Sequence, residues 1–308
     1  MDGVTALAAS PRFEQDRICF AACVSGLYRS DDGGVTWRDI YDSLGLDAPL
    51  ATIAVALSPD WEFDRRVFAG VHGGILRSAN GGESWLAALL PSPPPVISTL
   101  VVSPNFARDG IVIAGTIEDG IFRSADRGSS WAPWNFGLLD FQVLSMAISP
   151  DFAHDETIFA GTGSGLFRST NGGLAWREVN FPTEFAPVLS LALSPNYALD
   201  GIVFAGTEYS GLFSSHDRGH TWRRLGEDAL AAPVSAIVLS PQFPTAPDVL
   251  VLLSDTLLVS GDGGESWSAW KVGLQFESDA TSIAAPQGIG RGAPLLVGLI
   301  EGGVLCLS

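Results

Sequence analysis

Short apolar segments alternate with polar turns along the whole chain, and they return in a fixed order. Each round has a first segment that ends in Ser-Pro, such as TIAVALSP, then a second such as VFAGV and a third such as GILRS. In the first segment the small residues Ala54 and Ala56 alternate with the large residues Val55 and Leu57. Such alternation predicts a strand with two unlike faces, and the small face lets neighbouring sheets interlock.

An eight-residue polar turn, which we call the box, follows the third segment in six rounds and always ends in Trp. The copies are SDDGGVTW from Ser30, SANGGESW from Ser78, SADRGSSW from Ser124, STNGGLAW from Ser169, SHDRGHTW from Ser215 and SGDGGESW from Ser260. Successive tryptophans are 48, 46, 45, 46 and 45 residues apart. A repeat of about 40 to 50 residues made of short strands is typical of propeller blades.

Three positions of the box carry its expected chemistry. The third is Asp or Asn, whose side chain we expect to accept hydrogen bonds from backbone N–H groups two residues on. These residues are Asp32, Asn80, Asp126, Asn171, Asp217 and Asp262. The fifth position is always Gly, whereas the fourth becomes Arg127 or Arg218, so the fifth is predicted to need a positive φ. The closing Trp is expected to hold the hairpin to its own blade.

The pattern S-x-D-x-G-x-T-W is the Asp box, and the chain resembles the Asp-box (BNR-repeat) β-propeller proteins. That group includes sialidases, sortilin-type receptors, xyloglucanases and the photosystem II assembly-factor family. In these families the box is a structural turn at the blade periphery. The resemblance therefore implies a fold for this chain and gives the box aspartates a structural role.

The order of segments predicts an all-β fold, a single seven-bladed β-propeller domain over residues 1–308, with four-stranded antiparallel blades. After Trp267 the segments TSIAAP, PLLVGLI and GGVLCLS supply only three strands, and a six-bladed propeller is the alternative. The expected blades are residues 4–41, 52–90, 97–135, 143–180, 187–226, 233–271 and 280–308. The N-terminus is too short to supply a fourth strand to the last blade. The edge at 304–307 is therefore predicted to be exposed or paired with another chain.

One aromatic residue follows each Ser-Pro at the same distance, in a segment that we expect to be a loop. Because it is repeated, it is predicted to serve blade packing rather than ligand binding: Phe13, Trp61, Phe106, Phe152, Tyr197 and Phe243. The three cysteines lack metal-ligand spacing and are predicted to be buried apolar residues: Cys19, Cys23 and Cys306.

The charge and the chain's N-terminal segment exclude several classes of partner. Thirty-four acidic residues oppose seventeen basic ones, a formal charge of −17, whereas nucleic acids and anionic membranes need clustered cations. No apolar run is long enough for a membrane span. The start MDGVTALAAS has an acid where a signal peptide has basic residues, so a cytoplasmic location is expected.

Residues that occur once, rather than in every blade, are the candidates for function. In a propeller the box and the Ser-Pro loop lie on one side. The turns between second and third strands and the links between blades lie on the other, which we call the connector side. The single residues there are acidic and aromatic, which suits a basic peptide, a sugar or a metal ion; the alternative is a solvated acidic rim. The candidate binding residues are Glu118, Asp119, Asp140, Phe141, Glu184, Phe185, Glu208, Tyr209, Glu277 and Glu301.

No catalytic constellation emerges from the sequence. Sialidases use three arginines for the substrate carboxylate, but the arginines before four of the boxes stand at one repeated place, which is a structural pattern. Xyloglucanases work in a cleft between two propellers, and this chain has one. We therefore expect a non-catalytic protein-interaction or assembly scaffold for a protein or peptide partner, basic in character, with no cofactor and no metal. A glycoside hydrolase or carbohydrate-binding protein is the alternative.

Overall fold

Seven antiparallel sheets make up a computed structural model of the chain, which describes residues 1–91, 94–183, 186–227, 229–231, 233–276, 278–290 and 292–308. Six of these sheets have four strands and the last has three, and the strands of each sheet follow chain order. The sheets are the blades of a seven-bladed β-propeller. The predicted fold class is confirmed, and the six-bladed alternative is wrong.

The strands are short, and the outermost strand of most blades has only two or three residues. The first three blades contain β1 (Val4–Ala9), β2 (Cys19–Cys23), β3 (Gly26–Ser30), β4 (Arg38–Asp39), β5 (Thr52–Leu57), β6 (Val67–Val71), β7 (Gly74–Ser78), β8 (Leu86–Leu89), β9 (Ile97–Val102), β10 (Val112–Thr116), β11 (Ile121–Ser124) and β12 (Ala132–Pro133). The next three contain β13 (Val143–Ile148), β14 (Ile158–Thr162), β15 (Leu166–Ser169), β16 (Arg177–Glu178), β17 (Val188–Leu193), β18 (Val203–Thr207), β19 (Leu212–Ser215), β20 (Arg223–Leu225), β21 (Ala236–Leu239), β22 (Val249–Leu252), β23 (Leu257–Ser260) and β24 (Ser268–Ala269). The last contains β25 (Ala280–Ala284), β26 (Leu295–Leu299) and β27 (Val304–Leu307).

The chain divides into two compact units. Unit 1 contains Met1–Pro133, Thr281–Gln287 and Ala293–Ser308, and unit 2 contains Trp134–Ala280 and Gly288–Gly292. No helix in the described ranges has the length and apolar composition needed to cross a membrane.

Hydroxyl groups on the inner strands join successive blades within each unit. The small side chains of these strands were predicted only to let blades interlock, but several of them also donate hydrogen bonds to a carbonyl of the next blade. In unit 1 the bonds run from Thr281 to Val4 (2.7 Å) and from Thr5 to Thr52 (2.8 Å), and in unit 2 from Ser145 to Val188 (2.8 Å) and from Ser190 to Val234 (2.7 Å).

The segments that carry the repeated aromatic residue form single helical turns in the first five blades, where a loop was predicted. They are α1 (Phe13–Asp16), α2 (Trp61–Asp64), α3 (Phe106–Asp109), α4 (Phe152–Asp155) and α5 (Tyr197–Asp200), and a 3-10 turn spans Asp42–Leu44. In α3 the buried Ser103 hydroxyl donates to Asp109 Oδ2 at 2.6 Å, and Ile111 N–H donates to Oδ1 at 2.9 Å. One carboxylate thus fixes both ends of the turn.

The repeated aromatic rings lie in the blade interfaces, as predicted. All six are at most 3% exposed. Four of them contact a ring of the preceding blade edge-to-face at 5.7 to 6.2 Å, an arrangement that aromatic quadrupoles favour: Phe20 with Trp61, Phe68 with Phe106, Phe159 with Tyr197 and Phe204 with Phe243.

The box is held by its own side chains, but its hydrogen bonds differ from those expected. Asp126 Oδ1 accepts from the N–H groups of Ser129 and Ser130, both at 2.9 Å, which are three and four residues on rather than two. The buried Ser124 hydroxyl donates to Asp126 at 2.8 Å and accepts from Gly128 N–H at 2.9 Å. The hairpin therefore satisfies its own backbone.

The constant fifth position of the box has two physical reasons. Its φ is positive, as predicted, at 78° in Gly128, but the fourth position is also left-handed, at 60° in Arg127. The prediction that only the fifth is strained is therefore wrong. A Cβ on Gly128 would lie 2.7 Å from Phe68 Cε1, so lack of room excludes a side chain there as well.

Two box tryptophans bind beyond their own hairpin. Trp85 Nε1 donates to the carbonyl of Ile40 in the preceding blade at 3.0 Å, and Trp176 Nε1 donates to the carbonyl of Trp134 at 2.8 Å. The other four donate to the glycine carbonyl of their own box. The predicted role of the Trp was thus incomplete, because two of them join neighbouring segments.

The last blade ends at β27, which pairs with β26, and no further strand covers its outer edge among the described residues. Cys306 on this strand is exposed, so its predicted burial is wrong. Cys19 and Cys23 on β2 are buried as predicted, and burial raises the pKa of each thiol to about 12.

Candidate functional site

In unit 2 the segment 134–142 presents large apolar side chains as it runs from the box of blade 4 to the turn between β14 and β15 on the connector side. Phe136 is 79% exposed, Leu139 76% and Phe141 44%. The segment itself is fixed, because Trp176 N–H donates to the Phe136 carbonyl at 2.8 Å and Gly163 N–H donates to the Gln142 carbonyl at 3.0 Å. The exposed apolar side chains therefore belong to a backbone segment that is fixed to blade 4 by hydrogen bonds.

The carboxylate of Asp140, a predicted binding residue, is used within the fold. Its Oδ1 accepts from Gln142 N–H at 2.9 Å and its Oδ2 from Ser164 N–H at 2.7 Å. Partial burial acts to raise the pKa of Asp140, but the hydrogen bonds from Gln142 and Ser164 outweigh it and lower that pKa. Asp140 positions the exposed apolar residues rather than offering a free charge.

A groove of about 720 Å³ lies beside this segment, within unit 2. Leu139 and Phe181 are among its apolar lining residues, and Glu178 and Thr183 among its polar ones. The Phe181 ring is fixed by rings of the next blade, at 4.8 Å from Phe213 and 5.1 Å from Trp222. The groove thus combines a rigid apolar wall with the carboxylate of Glu178.

Glu208 and Tyr209 form the turn between β18 and β19, also in unit 2. Tyr209 is 72% exposed, and Glu208 N–H donates to the Pro187 carbonyl at 3.0 Å. A hydrogen bond with the Glu208 carboxylate, and its charge, raise the pKa of the Tyr209 phenol. The pair offers an exposed ring next to a carboxylate, which suits a cationic group.

In unit 1 the predicted residues lie in short turns. Glu118 is exposed and Asp119 half-buried between β10 and β11, where Asp119 N–H donates to Thr116 Oγ1 at 2.9 Å. Glu301 is exposed in the turn between β26 and β27.

An acidic pocket of about 280 Å³ in unit 1 was not among the predicted sites. Asp39, Asp42 and Asp47 line it together with the buried Tyr41. Asp39 accepts from Tyr41 N–H at 2.7 Å, and burial raises the pKa of the Tyr41 phenol. Tyr41, Asp42 and Asp47 are unrepeated residues of the connector side, and the sequence places them among the acidic and aromatic residues there without predicting a binding site.

Three predicted residues, Glu184, Phe185 and Glu277, lie outside the described residues. In the described part of the chain, no three His, Cys, Asp or Glu side chains gather in an arrangement that could hold a metal ion.

No protein-family model and no curated protein matches this sequence, whereas solved structures match its fold. A structure of YCF48 bound to D1 peptide is 18% identical with a TM-score of 0.74, over 99% of this chain and 93% of that one. YCF48 from Cyanidioschyzon merolae is 13% identical with a TM-score of 0.73, over 99% and 95%. The GH74 xyloglucanase from Xanthomonas campestris is 17% identical with a TM-score of 0.72, over 98% of this chain and 51% of that one, so the chain spans about half of that enzyme. At these identities the likeness establishes the fold, which YCF48 and the xyloglucanase share with this chain.

Proposed function

We propose that this chain is a non-catalytic binding scaffold whose connector side in unit 2 receives an apolar and basic segment of a partner protein. The observation that carries the proposal is the exposure of Phe136, Leu139 and Phe141 on one fixed segment beside the groove. Exposed apolar groups that cluster beside a groove are typical of protein interaction sites, and rigid anchors lower the entropy lost on binding.

The charge of the chain favours a basic partner. Acidic residues outnumber basic ones two to one, 34 against 17. In unit 2, Glu178 lines the groove and Glu208 lies beside the exposed Tyr209 ring. Lys or Arg of a partner would gain charge complementarity from these carboxylates and a cation–π contact from the ring.

The comparison with YCF48 adds support at the level of the fold. One YCF48 structure holds a D1 peptide, and that chain is nearly the same length as this propeller, 93% of it being covered. A single propeller of this size therefore has room for a peptide ligand.

Fluorescence anisotropy with labelled peptides that alternate Leu or Phe with Lys or Arg tests the proposal. We expect Phe136→Ala combined with Leu139→Ala to weaken binding at least about tenfold, because buried aromatic and apolar anchors dominate interface energies. Leu199→Ala is the matched control, since Leu199 is as exposed but lies on α5 at the box end. Equal weakening in the control, or none in the double variant, would contradict the proposal.

Glycoside hydrolysis is the competing function, and it requires a carboxylic acid of raised pKa opposite a second carboxylate. Where surroundings displace the pKa of a carboxyl group in the described residues, the displacement is downward, as in Asp140 and Asp126. This direction favours the scaffold. If the protein hydrolyses xyloglucan oligosaccharides or aryl glycosides, and Glu118→Gln or Glu208→Gln abolishes that activity, the protein is a hydrolase and the scaffold proposal is wrong.

A further inference from the structure

Two seams between neighbouring blades contain the same pair of arginines. In blade 1, Arg29 precedes the box and Arg38 follows its Trp, and the two are cross-strand partners. Arg168 and Arg177 hold the equivalent places in blade 4 and are also cross-strand partners. Since cross-strand partners share one face of a sheet, each pair faces the box of the following blade. The first arginine of each pair donates to a backbone carbonyl of that box.

At the first seam, two carboxylates neutralise the arginines. Glu83 Oε1 lies 2.5 Å from Arg38 Nη2 and 3.3 Å from Arg29 Nη1. Asp31 Oδ1 lies 2.5 Å from Arg29 Nη2. Two negative groups thus meet two positive ones.

At the seam between blades 4 and 5, both carboxylates are replaced. Thr170 stands at the place of Asp31, and His220 at the place of Glu83. Among the described residues, neither arginine forms an ion pair with a carboxylate. Within the described part of the chain, therefore, no carboxylate pairs with either of these two positive charges, although the net charge of the chain is −17.

The acids nearest this seam do not neutralise it. Glu178 also lines the cavity at this seam, but it follows Arg177 on β16 and pairs with Phe167, so its side chain leaves the strand on the face opposite to Arg177. The Asp217 carboxylate accepts from the N–H groups of His220 and Thr221 inside its own box. The positive charge therefore stays at the seam.

A cavity of about 350 Å³ opens at this seam, and Arg168, Thr170, Arg177, Asn180 and His220 are among its lining residues. We infer that this cavity binds a phosphate group, carried either by inorganic phosphate or by a small phosphate monoester. Guanidinium forks match the oxygens of a phosphate, and hydroxyl, amide and imidazole groups add hydrogen bonds. The volume is about ten times the share of one water molecule in the liquid, which leaves room for the alcohol of a monoester.

Calorimetric titration of the full chain with inorganic phosphate, and separately with glycerol phosphate, tests the site. We expect Arg177→Gln to weaken binding at least about tenfold, because it removes one of the two guanidinium groups. We expect the double variant Thr170→Asp with His220→Glu to weaken binding at least as much, because it introduces the two carboxylates found at the first seam. Arg38→Gln at the neutralised seam is the control and leaves binding unchanged. Thermal melts of each variant verify folding.

The reverse exchange distinguishes a local site from diffuse charge. Asp31→Thr combined with Glu83→His removes the two carboxylates that pair with Arg29 and Arg38 at the first seam, and the stoichiometry should rise from one to two. Tighter binding of glycerol phosphate identifies a monoester site, and equal binding identifies a site for the free ion. Absence of binding to both probes, or undiminished binding by Arg177→Gln, overturns the inference.

Discussion

The box end and the connector end of the same blades use their side chains in opposite ways. At the box end the serine that opens each box is at most 2% exposed and bonded to its own hairpin, and the repeated rings are buried between blades. On the connector side Leu139, Tyr209 and Val272 are each more than 70% exposed. The difference teaches that the repeated positions are used by internal contacts, whereas exposed apolar surface belongs to unrepeated side chains, both on the connector side and at the box end, where Phe63 and Leu199 are exposed.

The largest expected effect comes from removing a repeated ring. Phe106→Ala should lower the free energy of unfolding by about 3–5 kcal/mol, because a fully buried ring leaves a cavity. Phe136→Ala, at an unrepeated and 79% exposed side chain, should change the free energy of unfolding by no more than about 0.5 kcal/mol. Urea unfolding of both variants measures the difference. Similar losses of unfolding free energy in Phe106→Ala and Phe136→Ala would contradict the contrast between repeated and unrepeated side chains.

A smaller effect is expected at the fifth position of the box. Gly128→Ala should cost about 2–4 kcal/mol, since it adds a contact 2.7 Å from Phe68 to the strain of a positive φ. Gly173→Ala should cost about 1–2 kcal/mol, because its Cβ would find nothing closer than 3.6 Å and only strain remains. Chemical unfolding that ranks the two in the reverse order would refute the packing argument.

The acceptor at the third position should matter less again. Asp126→Ala removes the acceptor of two amides in an exposed turn and should cost about 1 kcal/mol. Asp126→Asn should cost less, because Asn80 accepts from Ser84 N–H at 3.0 Å in its own box. Thermal melts at neutral pH provide the measurement, and an Asn variant as unstable as the Ala variant would contradict this account.

Acid should weaken the box through the same carboxylates. The Thr36 hydroxyl and, to a smaller extent, the Thr36 N–H donate hydrogen bonds to Asp32 and lower its pKa to about 2. Burial acts to raise the pKa of Asp126, but hydrogen bonds led by those from Ser130 outweigh it and bring that pKa to about 2 as well. Both values lie below the unfolded pKa of about 3.9, so this stabilisation is complete above that pH and is lost as pH falls towards 2. The melting temperature should drop in this window, and the double variant Asp32→Asn with Asp126→Asn should show a shallower drop.

Cys306 should differ from the other thiols in reactivity. In the native protein a thiol reagent should label Cys306 alone, because Cys19 and Cys23 are buried, and all three should react after unfolding. Mass spectrometry counts the labels. Labelling of Cys19 in the native state would mean that β2 is accessible.

The repeats in the sequence are sufficient to predict the blades, since six boxes and three further segments determine seven sheets. The helical turns and the exposure of individual side chains depend on contacts between residues that a local sequence pattern does not specify. The helical turn at Phe106 forms because Asp109 binds both of its ends. Cys306 is exposed, although its Sγ donates to the Gly34 carbonyl of the first box at 3.3 Å.

The candidate site was predictable only as a set of residue types. Asp140 is predicted as a binding residue because it is unrepeated, but its carboxylate accepts from the N–H of Ser164, 24 residues away. The arginines before the boxes are repeated, and repetition predicts a structural role for them. The informative signal was the change from Asp31 and Glu83 to Thr170 and His220, which appears only when equivalent positions of different blades are compared.

The self-sufficiency of the box has an evolutionary consequence. Its first, third and fifth residues close the hairpin, whereas in the first copy the second and sixth side chains, Asp31 and Val35, accept none of these backbone hydrogen bonds. The second and sixth residues can therefore differ from blade to blade while the hairpin keeps its form. Each blade can therefore acquire new surface residues at these two positions independently of the other blades.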